Sequence, residues 1–303
     1  LTLKTELSTD YNFNNYYYYQ PDYQFGIKTS DTRTSKWTKT NTKYWSWRNI
    51  LTYNTQIAQK HNINIMVGQE MSHYNYETQV GTATGFLTNT TPDLSAGDVT
   101  SSTTTGSRFV NSLASAFGRA FYSYDERYLL TATIRRDGSS KFARGNRWGY
   151  FPAAAVAWRV LEEPFMENAK DLMSNLKLRF SYGTAGNNRI GSAMFETTYK
   201  AYSSGKYYGA GNEQNPHYTL NNSQLANPNL KWETTITRNV GLDFGFFNER
   251  ISGSIDYYWN TVKDLLIEIP ITAIGYTSMQ QNIGQTSNRG VELSLNAAIL
   301  QKK

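Results

Sequence analysis

The sequence predicts an all-β chain: about ten antiparallel strands of a β-barrel that crosses a membrane. Three observations carry this. First, residues 240–246 and 251–259 alternate apolar and polar positions on either side of a short polar turn. A period of two marks a strand between unlike environments, and two such strands on a short turn form an antiparallel hairpin. Second, the hairpin is long. From Leu230 the even positions read Leu230, Trp232, Thr234, Ile236, Arg238, Val240, Leu242, Phe244 and Phe246. About 18 residues at ~3.3 Å each would extend ~59 Å, where a soluble strand usually has five or six residues. Tilted by about 40°, such a strand still rises ~45 Å, more than the ~30 Å hydrocarbon core of a bilayer. Third, connections between the strands are short on one rim and long on the other, as in outer-membrane barrels.

In chain order, residues 1–10 alternate weakly through Leu1, Leu3 and Leu7, and residues 11–35 read as a Tyr/Asn-rich loop. A second strand covers about 36–56, with Trp37, Trp45, Trp47, Leu51 and Tyr53 on one parity. The brief turn 59–62 leads to a third, where Ile63, Ile65 and Val67 alternate with Asn64, Met66 and Gly68. After a Thr/Ser/Gly-rich segment at about 79–107 come strands at about 108–122 and from Tyr128 to Arg135, joined by a turn at 123–127. Asp137-Gly138-Ser139 ends the latter. A basic connection (Lys141, Arg144, Arg147) precedes a strand at 149–160, and residues 161–175 are read as a short helical connection. The next strand, 176–183, sets Leu176, Leu178, Phe180 and Tyr182 against Lys177, Arg179 and Ser181. A polar, aromatic loop at about 187–228 leads to the long hairpin, whose Phe244, Phe246, Phe247, Tyr257 and Trp259 are expected to form an interfacial girdle near the turn. A connection at 266–287 and a last strand with Val291, Leu293 and Leu295 follow. The brief connection at 141–148 falls on the long side and is the one irregularity.

Composition agrees. The longest apolar run is about eight residues, Phe151–Trp158, too short for a transmembrane helix. A mean hydropathy of −0.59 still suits a barrel, because only every second residue meets lipid. The chain has no Cys, which removes disulfides, thiol nucleophiles and Cys-based zinc sites. A net charge of +6 without a long basic run gives little for nucleic-acid binding. The opening Leu-Thr-Leu-Lys carries no apolar leader, and the end stops where a strand has just finished. Both are expected of an internal piece of a barrel.

Several runs together resemble the SusC-like branch of TonB-dependent transporters. They are Asn227-Pro-Asn-Leu-Lys-Trp-Glu-Thr-Thr, Asn239-Val-Gly-Leu-Asp-Phe-Gly-Phe-Phe-Asn with Asp256-Tyr-Tyr, and Leu130-Thr-Ala-Thr-Ile-Arg-Arg-Asp-Gly-Ser-Ser with Arg147-Trp-Gly-Tyr-Phe-Pro-Ala. Ser181-Tyr-Gly-Thr-Ala-Gly-Asn-Asn and Asn288-Arg-Gly-Val-Glu-Leu-Ser-Leu match as well. The resemblance implies a 22-stranded barrel plugged by an N-terminal domain, importing glycan or peptide fragments with energy delivered through TonB. It implies a SusD-like surface lipoprotein as a lid, and dimers of transporter–lipoprotein pairs. On this reading residues 1–303 belong to one barrel domain, with plug and final strands outside them.

Candidate site residues follow from parity. Arg135, Arg179, Asp243, Asp256 and Glu292 occupy polar positions of strands and are expected to line the lumen, where they could touch plug or solute. The ordinary role of such residues is to solvate the wall. Tyr16, Tyr17, Tyr18, Tyr19, Tyr207, Tyr208 and Tyr218 are expected in outer loops, where their rings could stack on sugars or grip a lid. Loop packing and girdle formation are the commoner use of tyrosine there. His61, His73 and His217 are isolated, and no carboxylate cluster has metal-ligand spacing. Asp93 and Asp98 in a Gly/Ser loop are a weak calcium signal, and Gly209-Ala-Gly211 lacks the third glycine of a dinucleotide loop. No nucleophile–base pattern is present, so neither enzyme nor cofactor is expected. Two other readings stand beside the lidded importer: a TonB-dependent siderophore or cobalamin receptor, and an outer-membrane adhesin or enzyme barrel without transport.

Overall fold

The computed structural model describes residues 1–298 except 91, 202–217, 221–223 and 274. Ten strands form one sheet in sequence order: β1 (Thr2–Gln20), β2 (Thr34–Ile57), β3 (His61–Thr84), β4 (Thr103–Tyr124), β5 (Tyr128–Ser139), β6 (Trp148–Arg159), β7 (Met173–Asn187), β8 (Glu233–Phe246), β9 (Ile251–Lys263) and β10 (Gln285–Ala297). From β4 to β10 every neighbouring pair is antiparallel. Fourteen residues in β8, at about 3.3 Å each and tilted by about 40°, still rise ~35 Å, enough for a bilayer core.

The register gives the two faces their characters. Leu130, Val156, Phe180, Val240, Tyr257 and Val291 lie opposite one another across β5–β10. Each is between 42% and 68% exposed, so this row of large apolar groups has no cover among the described residues. One residue along, Ala157, Arg179, Gly241, Asp256 and Glu292 form the matching row on the other face. Opposite-facing neighbours of unlike polarity are what strand alternation predicts.

Short turns close one rim. Ala58 and Gln59 both have positive φ between β2 and β3, as do Asp125 and Glu126 between β4 and β5. Two such central residues make a hairpin turn whose twist matches that of the strands. The β6–β7 connection holds two 3₁₀ stretches, Val160–Glu162 and Pro164–Ala169, rather than one short helix. The long connections carry small sheets of their own: Tyr23–Phe25 with Lys28–Ser30, Tyr199–Ala201 with Tyr218–Leu220, and Leu266–Ala273 with Tyr276–Asn282, joined by Gln224–Leu225.

Three expectations are corrected. Residues 11–20 continue β1 instead of forming a loop, so Tyr16–Tyr19 stand on a strand. Leu230 and Trp232 precede β8 and are buried with Phe142, Phe151 and Ile190 in an apolar cluster. The Trp232 indole N–H donates to the Arg147 carbonyl at 2.8 Å, pinning the loop before β8 to the β5–β6 connection. Tyr257 and Trp259 lie in the middle of β9, well away from the 247–250 turn, so neither is part of a girdle there. The rim of short turns instead carries the stacked Tyr124, Tyr128 and Trp158, with Phe165 edge-on to Trp158, and also Phe244, Phe246 and Phe247.

Two compact units are distinguishable. One comprises Leu1–Thr5, Arg48–Glu70 and Leu113–Lys303; the other comprises Glu6–Trp47 and Met71–Ser112. In the second, Tyr17 meets Trp37 edge-on at 5.1 Å and Tyr19 meets Phe86 at 5.8 Å. Arg33 ties its loops together, donating to Asp22, to the Phe86 carbonyl and to Asn89 at 2.7–2.9 Å.

Candidate functional site on the polar face

On the polar face of β7–β9 four charged side chains converge. Arg179 Nε donates to both Asp243 carboxylate oxygens at 2.9 and 3.0 Å, and its Nη2 to Asp243 at 2.7 Å. The same Nη2 reaches Asp256 on β9 at 3.0 Å. Lys177 stands 3.7 Å from Asp243. Strand parity puts all four on one face, and Gly241 between them is what lets them meet. A Cβ there would fall 2.5 Å from Asp256 Oδ1 and 2.7 Å from Arg179. Two cations against two carboxylates balance, so the cluster is a satisfied, half-buried network.

Glu292 lies opposite Asp256 in register. It lines an open polar cleft of about 560 Å³ with Ser181, Asn239, Tyr258, Asn260 and Asn288. Tyr258 lies across Gly290, where a Cβ would meet its hydroxyl at 2.7 Å. Amides, a phenol and one carboxylate can hydrogen-bond a neutral or cationic polar solute.

Arg135 is on the same face but in a different group. It donates to Asp137 at 2.7 Å and to Ser115 at 2.9 Å, and stands 3.8 Å from Glu70, which pairs with Arg48 at 3.0 Å. Asp137 and Glu70 escaped the sequence reading; the Asp137-Gly138 pair looks like a strand terminator, yet β5 continues through it. Gly241 was missed too, although a residue without a side chain on the polar parity of a charged strand was a legible signal.

Tyr16, Tyr17 and Tyr18 are half exposed on β1, and the Tyr19 hydroxyl donates to Asn89 at 3.2 Å. Tyr218 begins the short strand Tyr218–Leu220 inside the β7–β8 connection. Tyr207, Tyr208, His217 and Gly209–Gly211 lie outside the described residues. The two described histidines bond to hydroxyls: His61 Nδ1 to Tyr122 at 2.8 Å and His73 Nδ1 to Ser112 at 3.0 Å. Asp98 caps a 3₁₀ turn, accepting from the Thr100 amide and hydroxyl, which holds its carboxyl below the usual range. Arg33 and Asn89 do the same to Asp22, and the Tyr128 hydroxyl and Trp158 indole to Glu163 in the β6–β7 connection.

The sequence pattern of the family described as TonB dependent receptor-like, beta-barrel matches residues 1–301. The chain is 42% identical over 196 residues to the TonB-dependent receptor SusC of Bacteroides thetaiotaomicron, covering 62% of this chain and 18% of that protein. It is 34% identical over 300 residues to the TonB-dependent receptor P39 of Formosa agariphila, covering 98% of this chain and 28% of that protein. Among solved structures it is similar to the RagAB peptide transporter, with a TM-score of 0.86 at 26% identity over 99% of this chain and 32% of that one. The chain thus spans about a third or less of each relative.

Proposed function

Because this chain belongs to the TonB dependent receptor-like, β-barrel family, we propose that it supplies ten consecutive wall strands of a SusC-type importer of oligomeric nutrients. Members of that family are outer-membrane β-barrels, so the apolar face of the sheet meets lipid and the polar face the lumen. The observation that carries the proposal is the row Leu130 to Val291: six strands present uncovered apolar groups to one side while Arg179, Asp256 and Glu292 line the other. Such a wall is stable only with lipid outside and water or a plug inside.

On this reading a plug domain and the remaining strands of a 22-stranded barrel lie outside residues 1–303. TonB drives transport, and a SusD-like lipoprotein forms the lid of a dimeric assembly. The relation to the RagAB peptide transporter supports peptide fragments as cargo, and the SusC-like resemblance of the sequence implies glycan fragments as the other candidate. On this reading the wall residues pass that cargo along without transforming it, as expected of relatives that are receptors and transporters. They offer it hydrogen bonds through the Asn239, Asn260, Asn288 and Glu292 cleft. The test is gentle purification of the native assembly from outer membranes, with mass spectrometry of what accompanies it. A stoichiometric surface lipoprotein is expected. A barrel that emerges alone would shift the reading to a siderophore or cobalamin receptor, and a reading frame without a plug would sink transport altogether.

A further inference from the structure

The two faces of β5–β10 differ in the sign of their charges. The lumenal face mixes Arg135, Asp137, Lys177, Arg179, Asp243, Asp256 and Glu292. Among the described residues of these strands, the lipid face carries four charges, Arg136, Arg238, Lys263 and Arg289, and all are cations. Each lies in the half of its strand nearest the long connections. The ion pairs of the polar face involve none of the four.

Aromatic rings hold two of them in place. The Arg238 guanidinium lies 4.5 Å from the Trp259 ring centroid and 5.9 Å from that of Tyr182. Arg289 is the register partner of Trp259 on its other side. Arg136 stacks in the same way on Trp148 at 4.1 Å and Tyr150 at 5.5 Å. Beside the first group, one register step toward the short-turn rim, an apolar groove of about 460 Å³ is lined by Val156, Phe180, Tyr182, Val240, Tyr257 and Trp259, with Arg238 at its edge.

A cation on a lipid-facing surface is costly unless it reaches the level of the headgroups. There it meets phosphate, for which a guanidinium is a geometrically matched donor. We infer that Arg238 and Arg289 bind the headgroup phosphate of an anionic lipid in the leaflet nearest the long connections, with an acyl chain of that lipid in the groove. The inference rests on the outer-membrane placement alone, not on the identity of cargo or lid.

The test uses the intact native transporter, delipidated in a neutral detergent and followed by native mass spectrometry with phosphatidic acid, phosphatidylcholine or inorganic phosphate. Phosphatidic acid should be retained over phosphatidylcholine. Arg238→Gln with Arg289→Gln should lower that retention roughly thirtyfold, at about 1 kcal/mol per interfacial cation. Inorganic phosphate should be held far more weakly, since it cannot fill the groove. Equal retention of both lipids, or of phosphate and phosphatidic acid, would overturn the inference, as would unchanged retention in the double variant. If that variant does not reach the heat-modifiable, folded form, the three-ligand comparison on the unaltered protein still decides. A positive lipid result with no co-purifying lipoprotein would leave this site standing and remove only the lidded-importer reading.

Discussion

Arg179 grips Asp243 with two nitrogens, Nε at 2.9 and 3.0 Å and Nη2 at 2.7 Å, and touches Asp256 with Nη2 alone. The two carboxylates should therefore not be equivalent. Asp243→Asn is expected to destabilise the barrel by about 1–2 kcal/mol and Asp256→Asn by about half that, after allowing for the partial exposure of the pairs. Denaturant midpoints of the detergent-solubilised protein measure this; the reverse order would show that Asp256 is the principal partner.

Gly241 is kept free of a side chain by the same cluster. Gly241→Ala should cost roughly 1–3 kcal/mol, since neither Asp256 nor Arg179 can retreat without breaking a bond. Gly145→Ala, with nothing within 4 Å of the added Cβ, should be neutral and serves as the control.

Glu163 predicts a pH dependence. The Tyr128 hydroxyl and the Trp158 indole favour its ionised form in the folded protein. The unfolded chain therefore takes up its proton first as pH falls, so this contribution is complete above the ordinary carboxylate range. It declines from about pH 5 downward and is lost once pH passes below the lowered folded value. Glu163→Gln should flatten the acid limb of a stability–pH curve; a limb of unchanged steepness would mean that other carboxylates govern it.

Tyr19 and Arg33 anchor the β3–β4 connection through Asn89 and the Phe86 carbonyl. Tyr19→Ala or Arg33→Ala should raise the rate of limited proteolysis near residues 86–89 severalfold, with the strands left intact. Equal cleavage rates would show that the loop is held from elsewhere.

Since the chain has no Cys, single spin labels are unambiguous. Labels at Val240 and Val291 should be accessible to oxygen dissolved in lipid, and a label at Ser254 to a water-soluble relaxant. The opposite parity would reverse the register assigned to β8–β10.

The strands themselves were written locally. Side chains alternate by covalent geometry, so hydrophobic parity disclosed about ten strands, their two faces and the rims on which the turns fall, and it placed Asp243 and Asp256 on the polar side. Where that pattern lapses, parity misleads. The Tyr/Asn run at 11–20 does not alternate, yet it is strand because a neighbouring strand supplies its hydrogen bonds. Leu230 and Trp232 do alternate, yet they leave the sheet because Phe142, Phe151 and Ile190 offer them a drier place. Which charges meet was likewise decided by tertiary structure. Arg179 and Asp243 are 64 residues apart, and only the pairing of β7 with β8 makes them partners. Arg238 stood in the apolar parity from the start, but its position between Trp259 and Tyr182 exists only once three strands are in register. Direction is a property of one residue's backbone, whereas proximity across strands is set by the hydrogen-bond ladder that joins them.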